Sequence, residues 1–221
     1  MTKLIIFDLD GTLLDTLKDI ADACNFALAQ CGCPPHRLEE YNLLVGRGIS
    51  NLFRGALPED NRTDENIEAM RSHFVPYYRE HICDSTLPYD GIYGMLDALA
   101  EKGVRFAIAS NKYQEGTEQL YRHFFGKYGF TCVAGQKEGR PIKPDPEIIF
   151  EAMSASGDVK KEETIYCGDS DVDMLTGHNA GVRTIGAAWG FRGRKELESC
   201  PHWLIAENPE EILMAVKAES E

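Results

Sequence analysis

Two pairs of carboxylates stand at the ends of apolar runs in this sequence of 221 residues. Asp8 and Asp10 follow the run from Leu4 to Phe7 in the stretch FDLDGT, and Asp169 and Asp173 follow a second apolar run in GDSDVDM. Short continuous apolar runs of this kind are typical of strands buried on both faces of a parallel sheet. Because burying an unpaired charge is costly, carboxylates in these positions need a functional explanation.

Side chains that could bind an anion follow a third apolar run. Ser110, Asn111 and Lys112 come directly after the strand predicted at 104–109, and a later loop, RPIKPDPE, carries Lys143. Each motif alone has an ordinary explanation, as a turn, a helix N-cap or a solvated loop lysine. An EF-hand calcium loop is excluded, because such a loop needs glycine at its sixth position and a loop counted from Asp8 or from Asp169 does not have it. The order of these motifs along the chain, and their positions after successive strands, argue against a chance arrangement.

The spacing of apolar residues predicts strands that alternate with helices, the pattern of a parallel α/β sheet. The predicted strands lie at 4–7, 104–109, 131–134, 164–167, 182–187 and 203–205. The predicted helices of this part lie at 92–102, 114–125, 146–154, 173–180 and from 209 onwards. Since ligands of open α/β sheets bind beyond the carboxyl ends of the strands, the polar motifs are expected to meet at one edge.

The segment 15–83 carries only helical patterns and interrupts the core directly after the first strand. At its start, Thr16 with Asp19 resembles a capping box for the first helix. We therefore predict an α/β core made of residues 1–14 and 84–221, with an all-helical cap domain at 15–83.

Composition limits the partners and the compartment. The formal net charge of −13 argues against nucleic acid, whose phosphates would be repelled. No apolar run approaches the roughly 18 residues of a membrane helix, and the N-terminus does not have the pattern of a signal peptide. The seven cysteines are scattered and odd in number, which favours reduced thiols. We expect a cytoplasmic protein without a membrane or nucleic-acid partner, either a monomer or a homodimer.

The four motifs together resemble the haloacid dehalogenase superfamily of phosphotransferases. The matching segments are FDLDGTLLDT at 7–16, SNK at 110–112, KPDPE at 143–147 and GDSDVDM at 168–174. The resemblance implies a Rossmann-like sheet core, with the helical block as the cap of that superfamily. Within it, LVGRGISNLF at 44–53, PYDG at 88–91 and WGFRG at 189–193 are similar to the phosphoglycolate phosphatase group.

The resemblance implies a catalytic role for each carboxylate and for one lysine. Asp8 would be the nucleophile that forms an aspartyl-phosphate, and Asp10 would act as general acid and then general base. Asp8, the backbone carbonyl of Asp10 and Asp169 would bind Mg²⁺, which prefers oxygen ligands. Lys143 would neutralise the developing charge, and Asp173 would orient Lys143 or a metal-bound water from the second shell.

The remaining residues would contact the substrate. Ser110 and the backbone around Asn111 would bind the transferred phosphoryl group, and Thr12 would help to hold the same loop. Arg47, between two glycines of the predicted cap, would bind the end of the substrate that is not transferred. Lys112 would have a similar role. Asp171 is expected to be a solvated surface residue.

The resulting hypothesis is a Mg²⁺-dependent phosphatase that acts on a small phosphorylated metabolite, with 2-phosphoglycolate as the first choice. A phosphosugar mutase similar to β-phosphoglucomutase would use the same core residues, and a pyrophosphatase also stays open. A dehalogenase needs no acid at the position of Asp10, and a phosphonatase needs a cap lysine, whereas Lys18 is the only lysine at 15–83. A non-catalytic binding protein is disfavoured because every catalytic role has a candidate residue.

Overall fold

The computed structural model describes residues 1–157 and 159–219 and contains a six-stranded parallel sheet. Its strands are β1 Leu4–Phe7, β4 Arg105–Tyr113, β5 Cys132–Gln136, β6 Thr164–Gly168, β7 Arg183–Ala187 and β8 Leu204–Ala206. A separate antiparallel pair consists of β2 Leu14–Asp15 and β3 Leu87–Pro88. The order across the large sheet is β5-β4-β1-β6-β7-β8, so β1 lies between β4 and β6. The predicted α/β class is confirmed.

Strand β1 is apolar throughout because both of its faces are covered. Ile5 and Phe7 belong to one buried cluster, whereas Leu4 and Ile6 belong to another, and all four side chains are inaccessible to solvent. Alternate residues of a strand point to opposite faces, so the two clusters lie on the two sides of the sheet. The continuous apolar run therefore places the aspartates that follow it at the edge of a fully buried strand.

The helices agree with the predicted pattern, with small shifts at their ends. They are α1 Leu17–Gln30, α2 Tyr41–Leu44, α3 Ile49–Ala56, α4 Asp64–His81, α5 Ile92–Glu101, α6 Gln114–Leu120, α7 Glu147–Ala155, α8 Asp171–Ala180, α9 Arg194–Glu198 and α10 Pro209–Ala218. The helix predicted at 114–125 is α6 followed by a π-helical segment, Tyr121–Phe125. One strand differs, because β4 continues through the SNK motif, which was predicted to follow it.

The capping box predicted at the start of α1 is wrong. Thr16 occupies the N-cap position but makes no side-chain bond to the helix backbone; its hydroxyl donates to Asp10 Oδ1 at 2.7 Å. The carboxylate of Asp19 instead accepts hydrogen bonds from the backbone N–H groups of Ser85 and Thr86 and from the Thr86 hydroxyl. Both side chains are buried, and each makes hydrogen bonds to residues outside α1 in place of the local capping bond.

Helices α1 to α4 lie in the chain between β2 and β3, which pair with each other through Leu14 and Pro88. The chain thus leaves and re-enters the core at adjacent points. We propose that residues 15–83 form a cap over the α/β core, with β2 and β3 as its two connections. Asp15 lies in β2, so the first residue of this segment is extended rather than helical. Within the part of the chain that the structure describes, no helix is both long and apolar enough to span a membrane.

Candidate active site

The candidate site is a cavity of about 50 Å³ at the carboxyl ends of β1 and β4. The core side contributes mainly polar side chains and the segment 15–83 contributes mainly apolar ones. The lining residues are Asp8, Asp10, Ile20, Val45, Gly46, Gly48, Ile49, Leu52, Phe74, Tyr78, Ser110, Asn111, Lys112 and Tyr113. The cavity therefore has a polar floor and an apolar roof.

Asp8 follows β1 directly, and only 4% of its surface is exposed. Its Oδ1 accepts a hydrogen bond from the N–H of Leu9 at 2.7 Å and lies 3.1 Å from Lys143 Nζ. Burial raises the pKa of Asp8 to about 7, although Lys143 opposes that shift. Among the described residues none hydrogen-bonds Oδ2, which leaves that oxygen available to react or to bind a metal.

Lys143 is a buried cation enclosed by acceptors. Its Nζ lies 2.7 Å from Asp173 Oδ1, 2.9 Å from the Tyr166 hydroxyl and 3.1 Å from the carbonyl oxygen of Ala109. Burial alone would lower the pKa of Lys143, but the carboxylates of Asp173 and Asp8 raise it above its ordinary value. The ammonium group is therefore held charged beside the Asp8 carboxylate.

Asp173 orients Lys143 and also caps α8. Its Oδ2 accepts hydrogen bonds from the Ser170 hydroxyl at 2.6 Å and the Ser170 N–H at 3.1 Å, while Ser170 caps the helix in return. Burial opposes ionisation, but Lys143 and these hydrogen bonds lower the pKa of Asp173. The local sequence S-x-x-D thus fixes an ionised carboxylate under the lysine.

Asp8, Asp169 and Asp173 form a buried acidic cluster in which one oxygen of each lies within 4.8 Å of the others. Burial, and then the charges of Asp173 and Asp8, raise the pKa of Asp169 well above its ordinary value. A divalent cation would remove this repulsion, and oxygen donors suit a hard cation such as Mg²⁺. The donor set therefore fits a divalent metal ion.

The backbone packs closely around Asp169. A Cβ atom on Gly11 or on Gly190 would overlap the Asp169 side chain, and Gly11 has a φ of 82°. The N–H of Phe191 donates to Asp169 Oδ2 at 2.8 Å. The glycine of FDLDGT and the glycine of WGFRG therefore serve the same carboxylate from two separate loops.

Asp10 accepts hydrogen bonds from two elements besides its own. Thr16 at the start of α1 donates to Oδ1, and Lys112 Nζ lies 2.9 Å from Oδ1 and 3.1 Å from Oδ2. The same ammonium group donates to the hydroxyl of Tyr78 on α4 at 2.8 Å. Lys112 is only 8% exposed, so it is a buried bridge between the core carboxylate and the roof of the cavity.

The predicted phosphate-binding residues occupy the same edge. Ser110 lines the cavity, and its hydroxyl oxygen accepts from the N–H of Lys112 at 3.3 Å. The Asn111 side chain accepts from the N–H of Lys143 and donates to the carbonyl oxygen of Gly46, so it ties a core loop to the roof. Thr12 is buried, and its hydroxyl lies 3.4 Å from Asp169 Oδ1.

Arg47 is placed outside the cavity. Its Nη2 lies 2.9 Å from Asp171 Oδ2 at the first turn of α8, and 53% of the Arg47 side chain is exposed. Asp171 was expected to be solvated, but its side chain is only 30% exposed because of this ion pair. The structure thus brings Lys112 to the candidate site and leaves Arg47 at the boundary between the segment 15–83 and the core.

Sequence reasoning missed three hydroxyl groups at the site. Tyr166 contacts both Lys143 and Asp173, Tyr78 contacts Lys112, and Thr16 contacts Asp10. A tyrosine inside the buried strand β6 is a usable signal, because a buried hydroxyl needs a hydrogen-bond partner. Tyr78 has no comparable local signal, since its position fits the apolar stripe of α4.

A family model described as haloacid dehalogenase-like hydrolase matches residues 5–187. A curated relative from Agrobacterium fabrum, named phosphoglycolate phosphatase, is 33% identical over 212 residues, which cover 93% of this chain and 88% of the relative. A relative of the same name from Pasteurella multocida is 30% identical over 210 residues, which cover 92% and 93%.

A solved structure from Lactobacillus delbrueckii subsp. bulgaricus, described as a candidate phosphoglycolate phosphatase, is similar with a TM-score of 0.90 and 29% identity. The match covers 98% of this chain and 99% of that one. These findings confirm the resemblance read from the four motifs. The chain belongs to the haloacid dehalogenase-like hydrolases.

Proposed function

We propose that the protein is a Mg²⁺-dependent phosphomonoester hydrolase that works through an aspartyl-phosphate on Asp8. The observation that carries this proposal is the environment of Asp8, whose Oδ1 is fixed by Leu9 and Lys143 while Oδ2 has no hydrogen-bond partner among the described residues. A fixed carboxylate with one free oxygen suits a nucleophile.

The reaction has two steps that use the same residues. Oδ2 of Asp8 attacks phosphorus, the ester P–O bond breaks, and a proton from Asp10 goes to the leaving oxygen. Water then attacks phosphorus, Asp10 takes its proton, and inorganic phosphate leaves Asp8. Lys112 and Thr16 both donate to Asp10, which is the arrangement required when Asp10 acts as the base.

The chain's remaining residues hold charge and geometry. Lys143 lies 3.1 Å from Asp8 and would neutralise negative charge as the phosphoryl group is transferred. Asp8, Asp169 and the backbone carbonyl of Asp10 would hold Mg²⁺, with Asp173 oriented towards Lys143. When bound, Mg²⁺ offsets the repulsion between the carboxylates and the substrate's phosphoryl oxygens.

The proposed substrate is 2-phosphoglycolate, in agreement with the names of the curated relatives. Its carboxylate needs a cation within a few ångströms of the leaving oxygen. Of the described residues that line the cavity, Lys112 alone carries a cationic side chain, and its ammonium group already lies beside Asp10. We therefore assign recognition of the substrate carboxylate to Lys112, in preference to Arg47.

Phosphate release from a panel of esters tests the reaction. The panel contains 2-phosphoglycolate, pyrophosphate and β-glucose 1-phosphate, each with and without Mg²⁺, and D8N serves as the blank. The proposal expects Mg²⁺-dependent release that is fastest from 2-phosphoglycolate. Formation of glucose 6-phosphate from β-glucose 1-phosphate, with no phosphate released from any compound, would contradict it and indicate a mutase.

Two matched lysine and arginine variants test the recognition of the carboxylate. Hydrogen bonds to charged groups contribute about 1.5–3 kcal/mol, so K112M should lower kcat/KM for 2-phosphoglycolate about 10- to 100-fold more than for methyl phosphate. Methyl phosphate has the same reacting group without a carboxylate. Any change in its rate in K112M therefore reports the effect of the substitution on Asp10 rather than on recognition of the carboxylate. R47M should change the two substrates equally. A selective loss in R47M, with none in K112M, would return this role to Arg47.

A further inference from the structure

The roof of the cavity is apolar, and 2-phosphoglycolate would leave this apolar surface without a contact. Beyond Asp10 and Lys112 the wall consists of Ile20, Val45, Ile49, Leu52, Phe74 and Tyr113. The first five come from the segment 15–83, and each is less than 9% exposed. Glycolate is small enough to stay beside Lys112, so this wall is left without a ligand group.

The apolar wall is rigid. Phe74 stacks on Tyr78 with ring centroids 5.1 Å apart, and it also meets Phe53 edge-on at 5.2 Å. Tyr78 is fixed at its hydroxyl by Lys112. Because these rings hold one another, the wall presents a formed surface, which lowers the entropic cost of binding.

Charge is confined to the floor of the cavity. The carboxyl groups of Asp8 and Asp10 lie there, and Lys112, the cation among the described lining residues, donates to both oxygens of Asp10. Arg47 lies outside the cavity, paired with Asp171. An organic group that extends past Lys112 therefore meets no charged or hydrogen-bonding side chain of the segment 15–83 except the Tyr78 hydroxyl.

We propose that this cavity also accepts phosphate monoesters with a neutral apolar leaving group, and that Leu52 and its apolar neighbours bind that group. This inference rests on the proposed hydrolysis of phosphomonoesters and adds a second class of substrate to it. Esters of simple alkyl alcohols form this class, because an alkyl chain gains free energy from burial and leaves no polar atom unpaired.

A homologous series of alkyl phosphates tests the inference on the intact protein with Mg²⁺. From methyl to butyl phosphate, kcat/KM should rise about fourfold for each methylene, which is the gain expected for burying one CH₂ group. The chemistry at phosphorus is nearly constant along the series, so the rise reports binding of the chain.

Two leucine variants locate the binding surface. With the series extended beyond butyl phosphate, the rise in kcat/KM should stop at a longer chain in L52A than in the parent protein, because the substitution enlarges the cavity. L57A is the matched control, since Leu57 is equally buried at the end of α3 but does not line the cavity. The kcat/KM values for different chain lengths are compared within one variant, so a loss of folded protein does not affect their ratio.

The outcomes separate this inference from the proposed function. A flat profile from methyl to butyl phosphate, with 2-phosphoglycolate still hydrolysed, would overturn the inference and leave the proposed function intact. The same shift in L52A and L57A would overturn the assignment to Leu52. An absence of phosphate release from every ester, 2-phosphoglycolate included, would overturn both.

Discussion

Replacing Lys143 by methionine removes the one ammonium group that lies between Asp8 and Asp173. Its Nζ is 3.1 Å from Asp8 and 2.7 Å from Asp173, and its side chain is only 1% exposed. Methionine has a similar length and no charge, so K143M leaves two buried carboxylates without their cation. Breaking a buried ion pair by removing one partner costs about 3–5 kcal/mol, and we expect K143M to lose this much stability at pH 8.

The loss should depend on pH with a definite sign. In the parent protein the folded-state pKa of Asp173 is lowered, so its stabilising contribution is complete above the unfolded value near 4 and is lost only as pH falls through the lowered pKa. In K143M the carboxylates of Asp173 and Asp8 lose the cation that lowers their pKa, so they bind protons in the folded state at higher pH than in the parent protein, and each additional bound proton recovers about 1.4 kcal/mol per pH unit. The difference in stability should therefore shrink as pH falls from 8 to 5.

Urea unfolding with EDTA at pH 5, 6, 7 and 8 measures this difference without interference from bound metal. K137M is the matched control, because Lys137 makes a similar ion pair with Glu151 in which both side chains are about a third exposed. Exposed pairs contribute about 0–1 kcal/mol, so K137M should lose little stability at any of these pH values. A loss in K143M that stays constant from pH 5 to 8 would refute the reasoning and attribute the effect to packing.

Three further predictions concern other contacts. G11A should abolish saturable Mg²⁺ binding in calorimetry, because the new Cβ overlaps Asp169; unchanged affinity would contradict the close packing. Because burial raises the pKa of Asp8 to about 7, metal binding must displace a proton, and the apparent Kd for Mg²⁺ should rise up to about tenfold from pH 7 to 6; a constant Kd would contradict this. D19N should lower the free energy of unfolding by about 2–4 kcal/mol, because Asp19 accepts hydrogen bonds from three donors, whereas the exposed D22N should change it by less than about 1 kcal/mol. Equal losses in D19N and D22N would refute the hydrogen-bond assignment.

The sheet and the convergence of the polar motifs could be predicted because both depend on local patterns. An apolar run identifies a buried strand, and parallel strands bring their carboxyl ends to one edge. Asp8 follows from that rule, whereas Lys143 and Asp173 lie in a loop and a helix after other strands, and their chemical roles stay predictions. The length of β4 was underestimated because the polar SNK segment does not look like a strand, yet β4 continues through it to Tyr113, which pairs with Gln136 after a shift in register.

Contacts between the segment 15–83 and the core could not be predicted in the same way. Lys112 and Arg47 had similar sequence signals, yet Lys112 turns inward to Asp10 and Arg47 turns outward to Asp171. The direction of a long side chain depends on partners that come from distant parts of the chain. The error at Thr16 has a different cause, because the buried carboxylate of Asp10, only six residues away, binds the Thr16 hydroxyl in place of the local cap.

The central position of β1 also determines when the site can be completed during synthesis. Its neighbours pair through Leu4 with Arg105 on one side and with Thr164 on the other. The ribosome releases residues 15–83 long before either neighbour exists, so the helices of that segment can pack while LIIF is still unpaired. An apolar strand with both edges open is prone to associate with other chains. Release of β6 from the ribosome therefore closes the second edge of β1, and only then can Asp8 meet Asp169.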